Sequence, residues 1–201
     1  MMIAIDGTLV SKGKGGVYGE RMIGEYRVWD PYRSKLAALW YLDHSTDLPG
    51  DSVVLYLGAA NGTTVSHVAD YAEAVYAVEF APRPMQDLLM VAKSRKNIVP
   101  IYGDATQPQR YAPLLEPVDL VYQDVAQPNQ AAIAIRHLPF LREGGEVILM
   151  LKTRSVDIRK SPEEVFADTC GELEGAGLSV VKSVWLLPYH ADHAAIVCKR
   201  V

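Results

Sequence analysis

The sequence predicts an α/β fold: a mostly parallel sheet ending in an antiparallel hairpin, preceded by a small β-rich appendage. Short apolar runs alternate with helical segments through the main part of the chain. Those runs lack polar alternation, as strands covered on both faces do. The last two runs, 178–187 and 193–199, have no helical segment between them and read as a hairpin added to the sheet.

Residues 1–33 form the expected appendage, because the β-prone pieces MIAIDGTLV and GEYRVW flank the glycine-rich KGKGGVYG. The main domain is expected over 34–201. Ser34 is a candidate N-cap for a first helix in SKLAALWYL, and Asp47, Pro49 and Gly50 break the chain after it. Strands are then expected at 52–58, 74–80, 97–103, 118–124 and 146–152, and helices near 64–71, 84–95, 129–140 and 162–176.

Bulk properties narrow the function classes. A chain of 201 residues holds one full α/β domain, and 22% charged residues is ordinary for a folded protein. No run of about 18 apolar residues occurs, so no membrane span is expected. MMIAIDGTLVSKGKGG does not have the pattern of a signal peptide. Cys170 and Cys198 make no Cys-x-x-Cys pair and are expected to be reduced packing residues, which points to an intracellular compartment. His44, His67, His137 and His190 form no metal-ligand spacing, and no metal is expected. The net charge of −4 argues against an unaided grip on long nucleic acid. Residues 1–35 nevertheless carry six Lys/Arg against four acids, so any nucleic-acid contact is expected toward that end.

The stretch LYLGAANGTT, 55–64, runs from a strand into a small-residue turn. A dinucleotide fingerprint would need glycine at 58, 60 and 63, where the chain has Gly58, Ala60 and Thr63. A Gly-x-Gly-x-Gly spacing instead gives Gly58, Ala60 and Gly62. Thr63 and Thr64 then offer hydroxyl and N–H groups to a carboxylate. Glu79 follows Gly58 by 21 positions, where it can accept from ribose hydroxyls, with Phe80 beside it for an adenine face. Asp104 and Asp124 end the next two strands. Three acids at successive strand ends face the crevice where open α/β sheets bind ligands. Together with the terminal hairpin, this is the outline of the seven-stranded S-adenosylmethionine-dependent methyltransferase fold.

Several stretches go beyond that outline: GVYGE, EYRVWDPYRSKLAA, VLYLGAANGTTVSHVAD, VYAVEF, DVAQPNQA and YHADHAAIV. Together they resemble the fibrillarin family, over nearly the whole chain, in its short archaeal form without a Gly/Arg-rich tail. WDPYRSKLAA and DVAQPNQ are the most specific pieces. The resemblance implies 2′-O-methylation of ribose in ribosomal RNA and transfer RNA, within a C/D-box ribonucleoprotein. Its cofactor pocket falls on Gly58, Ala60, Thr63, Thr64, Glu79, Phe80, Asp104, Ala105, Asp124, Val125, Ala126 and Gln127. Its catalytic set falls on Lys35, Asp124, Lys152 and His193. The implied partners are a Nop-family scaffold protein, the C/D-box guide RNA with its target, and a kink-turn-binding ribosomal-protein-like subunit. Base pairing with the guide would carry sequence recognition, which reconciles an acidic chain with an RNA substrate. Tyr32, Trp40 and Tyr41 are candidates for a partner-facing surface, with core packing the plainer reading of each.

The chemistry fits those residue types. A ribose hydroxyl must be aligned and relieved of its proton. Lys152, expected within reach of Asp124, serves either as a neutral amine taking the proton or as a cation stabilising alkoxide charge. Lys35 adds a second positive group, and His193 orients the site or relays the proton. Arg154, Arg159 and Lys160 follow in an expected loop that either lies along the RNA backbone or is simply solvated. A non-catalytic assembly subunit and a stand-alone methyltransferase are the competing readings.

Overall fold

The computed structural model describes residues 1–48 and 50–200. Pro49 of the expected chain break, and Val201, lie outside them. The chain opens with a four-stranded antiparallel sheet, β1 (Ile3–Ile5), β2 (Thr8–Lys12), β3 (Met22–Ile23) and β4 (Tyr26–Val28), ordered β1-β2-β4-β3. Helix α1 (Lys35–Leu42) follows, and Ser34 caps it by accepting from the Ala37 N–H at 3.3 Å.

The main sheet is built by β5 (Val53–Leu57), α2 (Thr63–Val68), β6 (Ala74–Glu79), α3 (Pro82–Ser94), β7 (Ile98–Tyr102), β8 (Val118–Gln123), α4 (Gln130–Arg136), β9 (Leu141–Lys152), α5 (Thr153–Val156), α6 (Pro162–Gly175), β10 (Leu178–Trp185) and β11 (His193–Arg200). Its order is β10-β11-β9-β8-β5-β6-β7, with β11 antiparallel to both its neighbours. The hairpin is therefore present, and its second strand is the internal one. Burial explains the choice: Ala194–Cys198 is continuously buried, whereas β10 alternates as an edge strand does.

Strands β5 and β8 are parallel neighbours from which the strand order runs outward in opposite directions, which opens a crevice at their C-terminal ends. One apolar cluster lies on each face. The first joins α1, α2 and α3 to Leu9 and Trp29, so the N-terminal sheet shares the core of the main domain. The second lies under α4 and α6.

Three local expectations change. Strand β9 begins at Leu141, because the ladder to β8 shifts register between Val118 and Leu120 and runs past Gly144 and Gly145. The helix expected over 129–140 stops at Arg136 and ends in a 3-10 turn, Leu138–Phe140, that contains Pro139. The expected loop after Lys152 starts as the helical turn α5. Cys198 is buried and Cys170 half-buried, both as free thiols whose pKa burial raises. Among the described residues no helix is long and apolar enough to cross a membrane.

Candidate active site

The crevice is organised by the turn after β5. Gly58 has φ +82°, and a Cβ there would stand 2.3 Å from the carbonyl oxygen of Asp124. Only glycine lets the ends of β5 and β8 come this close. Gly62, at φ +84°, starts α2 with Leu88 and Val91 of α3 packed against it. Ala60 occupies φ +47°, a conformation costing on the order of 1 kcal/mol. Its N–H donates to Glu79 Oε2 at 2.8 Å, which holds it there.

Glu79 is 7% exposed, and its Oε1 accepts from the Ala81 N–H at 2.7 Å. Each oxygen keeps a further lone pair for a ligand donor. The Phe80 ring beside it is 61% exposed. Asp104 Oδ1 accepts from the Thr106 N–H at 2.8 Å. With Ala105, Val125, Ala126 and Gln127 these residues line a chamber of about 360 Å³. A second chamber of about 340 Å³ lies across the turn, lined by Tyr18, Arg33, Tyr56, Thr63, Thr64 and their neighbours. Gly58, Ala60 and Asp124 belong to both, so the two form one bent crevice with Asp124 at its elbow.

At that elbow Lys35, the first residue of α1, donates to both oxygens of Asp124, at 2.9 and 2.8 Å. Lys152 makes no ion pair with Asp124: Lys35 has taken that position, contrary to the expectation that Lys152 would reach it. Lys152 instead stands opposite His193 in the β9–β11 ladder. Its backbone is gripped at both groups by Gln130, whose Nε2 donates to the Lys152 carbonyl at 3.1 Å and whose Oε1 accepts from its N–H at 3.0 Å. Gln130 was missed in the sequence; it is the last glutamine of DVAQPNQ, directly at the start of α4.

His193 Nδ1 lies 2.6 Å from the Ala191 carbonyl. A carbonyl can only accept, so the neutral ring carries its proton on Nδ1 and leaves Nε2 open. Burial lowers the His193 pKa, the Lys35 charge lowers it further, and Asp124 opposes both. His190 stands 6.0 Å from it between ring centroids, its Nε2–H donating to the Pro31 carbonyl at 2.8 Å.

One expectation about RNA-facing charge is revised, and the other stays open. Arg27 is fully buried, bonded to Glu20 and Asp70, so it belongs to the interior and not to a basic patch. Arg154, Arg159 and Lys160 each pair with a nearby acid, Asp192, Asp157 and Asp168. Of the aromatic candidates for a partner face, Tyr32 is exposed, Trp40 is buried and Tyr41 is partly buried against the core.

Comparison with known proteins gives a consistent result. A family model described as Fibrillarin matches residues 7–201. The chain is 66% identical over 192 residues to the fibrillarin-like rRNA/tRNA 2′-O-methyltransferase of Methanoculleus marisnigri, covering 96% of each. It is 48% identical to the protein of the same name from Archaeoglobus fulgidus, over 98% of this chain and 95% of the relative. Among solved structures it is similar to a fibrillarin/Nop5p complex, with TM-score 0.94 and 46% identity over 100% of this chain and 97% of the other. Aeropyrum pernix fibrillarin with natively bound S-adenosyl-L-methionine matches with TM-score 0.85 and 44% identity, over 95% and 88%.

Proposed function

This chain belongs to the fibrillarin family, and we propose that it is the methyltransferase subunit of a C/D-box ribonucleoprotein. Its reaction is 2′-O-methylation of ribose in ribosomal and transfer RNA, with S-adenosylmethionine as methyl donor. The observation that carries this reading is the bent crevice, with Asp124 held by Lys35 at its elbow.

The residues present fit that cofactor. Glu79, on the floor of one chamber, has acceptor capacity left for ribose hydroxyls, Asp104 for an adenine amino group, and the exposed Phe80 ring for an apolar face. When bound, S-adenosylmethionine supplies a methyl group on a cationic sulfur that is reactive toward an oxygen nucleophile. The chain's own residues handle the ribose hydroxyl. Asp124, fixed by both its oxygens on Lys35, keeps its place at the elbow. Lys152, with no acidic partner within 4 Å among the described residues, orients the hydroxyl and offsets negative charge developing on its oxygen. His193 Nε2, unprotonated, accepts the departing proton.

Recognition of the target is assigned to the assembly: a Nop-family scaffold, a guide RNA and a kink-turn-binding subunit, in the cytoplasm. The experiment is transfer from labelled S-adenosylmethionine to a target RNA, by this chain alone and then with guide and partner proteins, mapped by mass spectrometry. One 2′-O-methyl at the guide-specified nucleotide, formed only in the full assembly, is the expected product. Methylation by the chain alone would mean that it carries its own RNA recognition. No methylation in a verified assembly would point to a structural subunit.

A further inference from the structure

The second chamber contains a cation that the residues assigned so far leave out. Arg33 precedes α1 by two positions and lines this chamber together with Thr63 and Thr64. Its guanidinium carbon lies 4.8 Å from the centroid of the Tyr18 ring, and its Nη1 donates to the Tyr18 carbonyl at 3.4 Å. It has no carboxylate within 4 Å among the described residues, unlike the buried Arg27 and Arg95, whose guanidinium groups bond Asp70.

The platform under Arg33 is fixed from below. The Tyr18 hydroxyl lies 2.9 Å from His67 Nε2, and His67 Nδ1 lies 2.7 Å from Ser11 Oγ. Ser11 donates its own proton to Asp70 at 2.6 Å, so it accepts from His67 Nδ1–H. Tyr18 O–H therefore donates to Nε2. The His67 ring is buried and stacked on Trp29, 4.8 Å between centroids and 8° from parallel. Tyr18 thus holds its position and its ring orientation without any ligand.

Charge decides which end of a cofactor goes where. The first chamber carries the carboxylates of Glu79 and Asp104, which repel an anion. Asp124 at the elbow is already paired with Lys35. Among the described residues Arg33 is the one cation that lines the far chamber, which Thr63 and Thr64 also line. We infer that Arg33 recognises the carboxylate of the cofactor's methionine moiety, with Tyr18 as its positioning residue. This rests on the reading of the crevice as the S-adenosylmethionine site. It makes the N-terminal sheet part of that site, since β2, Tyr18 and the segment before α1 supply the clamp and its support.

Calorimetric titration of the full chain with S-adenosylmethionine and with its decarboxylated analogue tests it. Arg33→Gln is expected to weaken S-adenosylmethionine binding by about 10- to 100-fold, the span for a charge-assisted hydrogen bond, and to leave the analogue at wild-type affinity. Arg33→Lys should recover part of the loss for the first ligand only. Tyr18→Phe keeps the ring and removes the His67 bond, and should cost about threefold, again only for the carboxylate ligand. Equal weakening of both ligands would make Arg33 structural and overturn the inference. Unchanged affinity for both, with poorer methylation of RNA, would assign Arg33 to a phosphate and overturn it too. Failure of the wild-type chain to bind S-adenosylmethionine would instead reject the cofactor reading itself.

Discussion

Two groups of charges in the molecule are built on opposite principles. Between the N-terminal sheet and α2, Arg27 bonds Glu20 at 2.6 Å and Asp70 at 2.7 Å, Arg95 bonds Asp70 at 3.1 Å, and Ser66 closes the set by accepting from both arginines. Each charge there has an opposite partner and hydrogen bonds besides. At the crevice elbow, Lys35 and Asp124 remain 20% and 26% exposed, while at the paired ends of β9 and β11 Lys152 is without an acidic partner among the described residues and His193 keeps an open nitrogen. The first group is closed and ties the N-terminal sheet to the C-terminal ends of α2 and α3. The second has capacity left over, and a substrate can use it.

The largest way to break the closed group is to remove one member. Arg27→Met leaves Glu20 and Asp70 partly uncompensated and should cost about 3–5 kcal/mol of stability in urea unfolding. At the open group, Lys152→Ala should lower methylation at the guide-specified nucleotide by about 100- to 1000-fold. Its melting temperature should stay within about 2 °C of wild type, because the Lys152 ammonium makes no hydrogen bond or ion pair among the described residues. Gln130→Leu tests the support of Lys152. It should slow single-turnover methylation about tenfold through misplacement of the strand end, with S-adenosylmethionine affinity unchanged.

Acid sharpens the comparison with a smaller effect. Burial, aided by the Arg27 charge, pushes the His67 pKa down to about 2 from 6.5. Below pH 6.5 the unfolded chain therefore binds a proton that the folded chain refuses, and stability present above that pH drains as it falls, by up to about 1.4 kcal/mol per pH unit. Glu20 adds a second loss. Burial would raise its pKa, but backbone N–H groups and the Arg27 guanidinium win and hold it at about 2, below the ordinary 4.5. Its contribution disappears between pH 4.5 and 2. Urea midpoints measured from pH 7.5 to 5 should fall in the wild type and flatten in His67→Gln.

The same contrast explains what was legible in the sequence. The crevice acids Glu79, Asp104 and Asp124 end apolar runs, and a strand end in an open parallel sheet is a predictable place. Lys35 was reachable only through the resemblance in WDPYRSKLAA, since nothing local tells a lysine in a first helical turn which of many acids it will meet 89 positions away. Arg27 misled because a charge count treats every arginine as surface, and burial of a guanidinium depends on Glu20 arriving from one segment and Ser66 and Asp70 from another. Gln130 was overlooked for a related reason. Its function is to bond the backbone of another strand, a relation with no spacing of its own in the chain. The inner placement of β11 could have been read from its unbroken apolar run, AAIVC, beside the alternating β10.

The most direct test pairs one residue from each group. Single-turnover methylation in the assembled particle and urea stability would be measured for Asp124→Asn and Asp70→Asn. The account predicts a crossed result: Asp124→Asn loses methylation and keeps its stability, while Asp70→Asn loses stability by several times more. Wild-type methylation by Asp124→Asn would contradict it, because the open charges at the crevice would then not be the ones doing the chemistry.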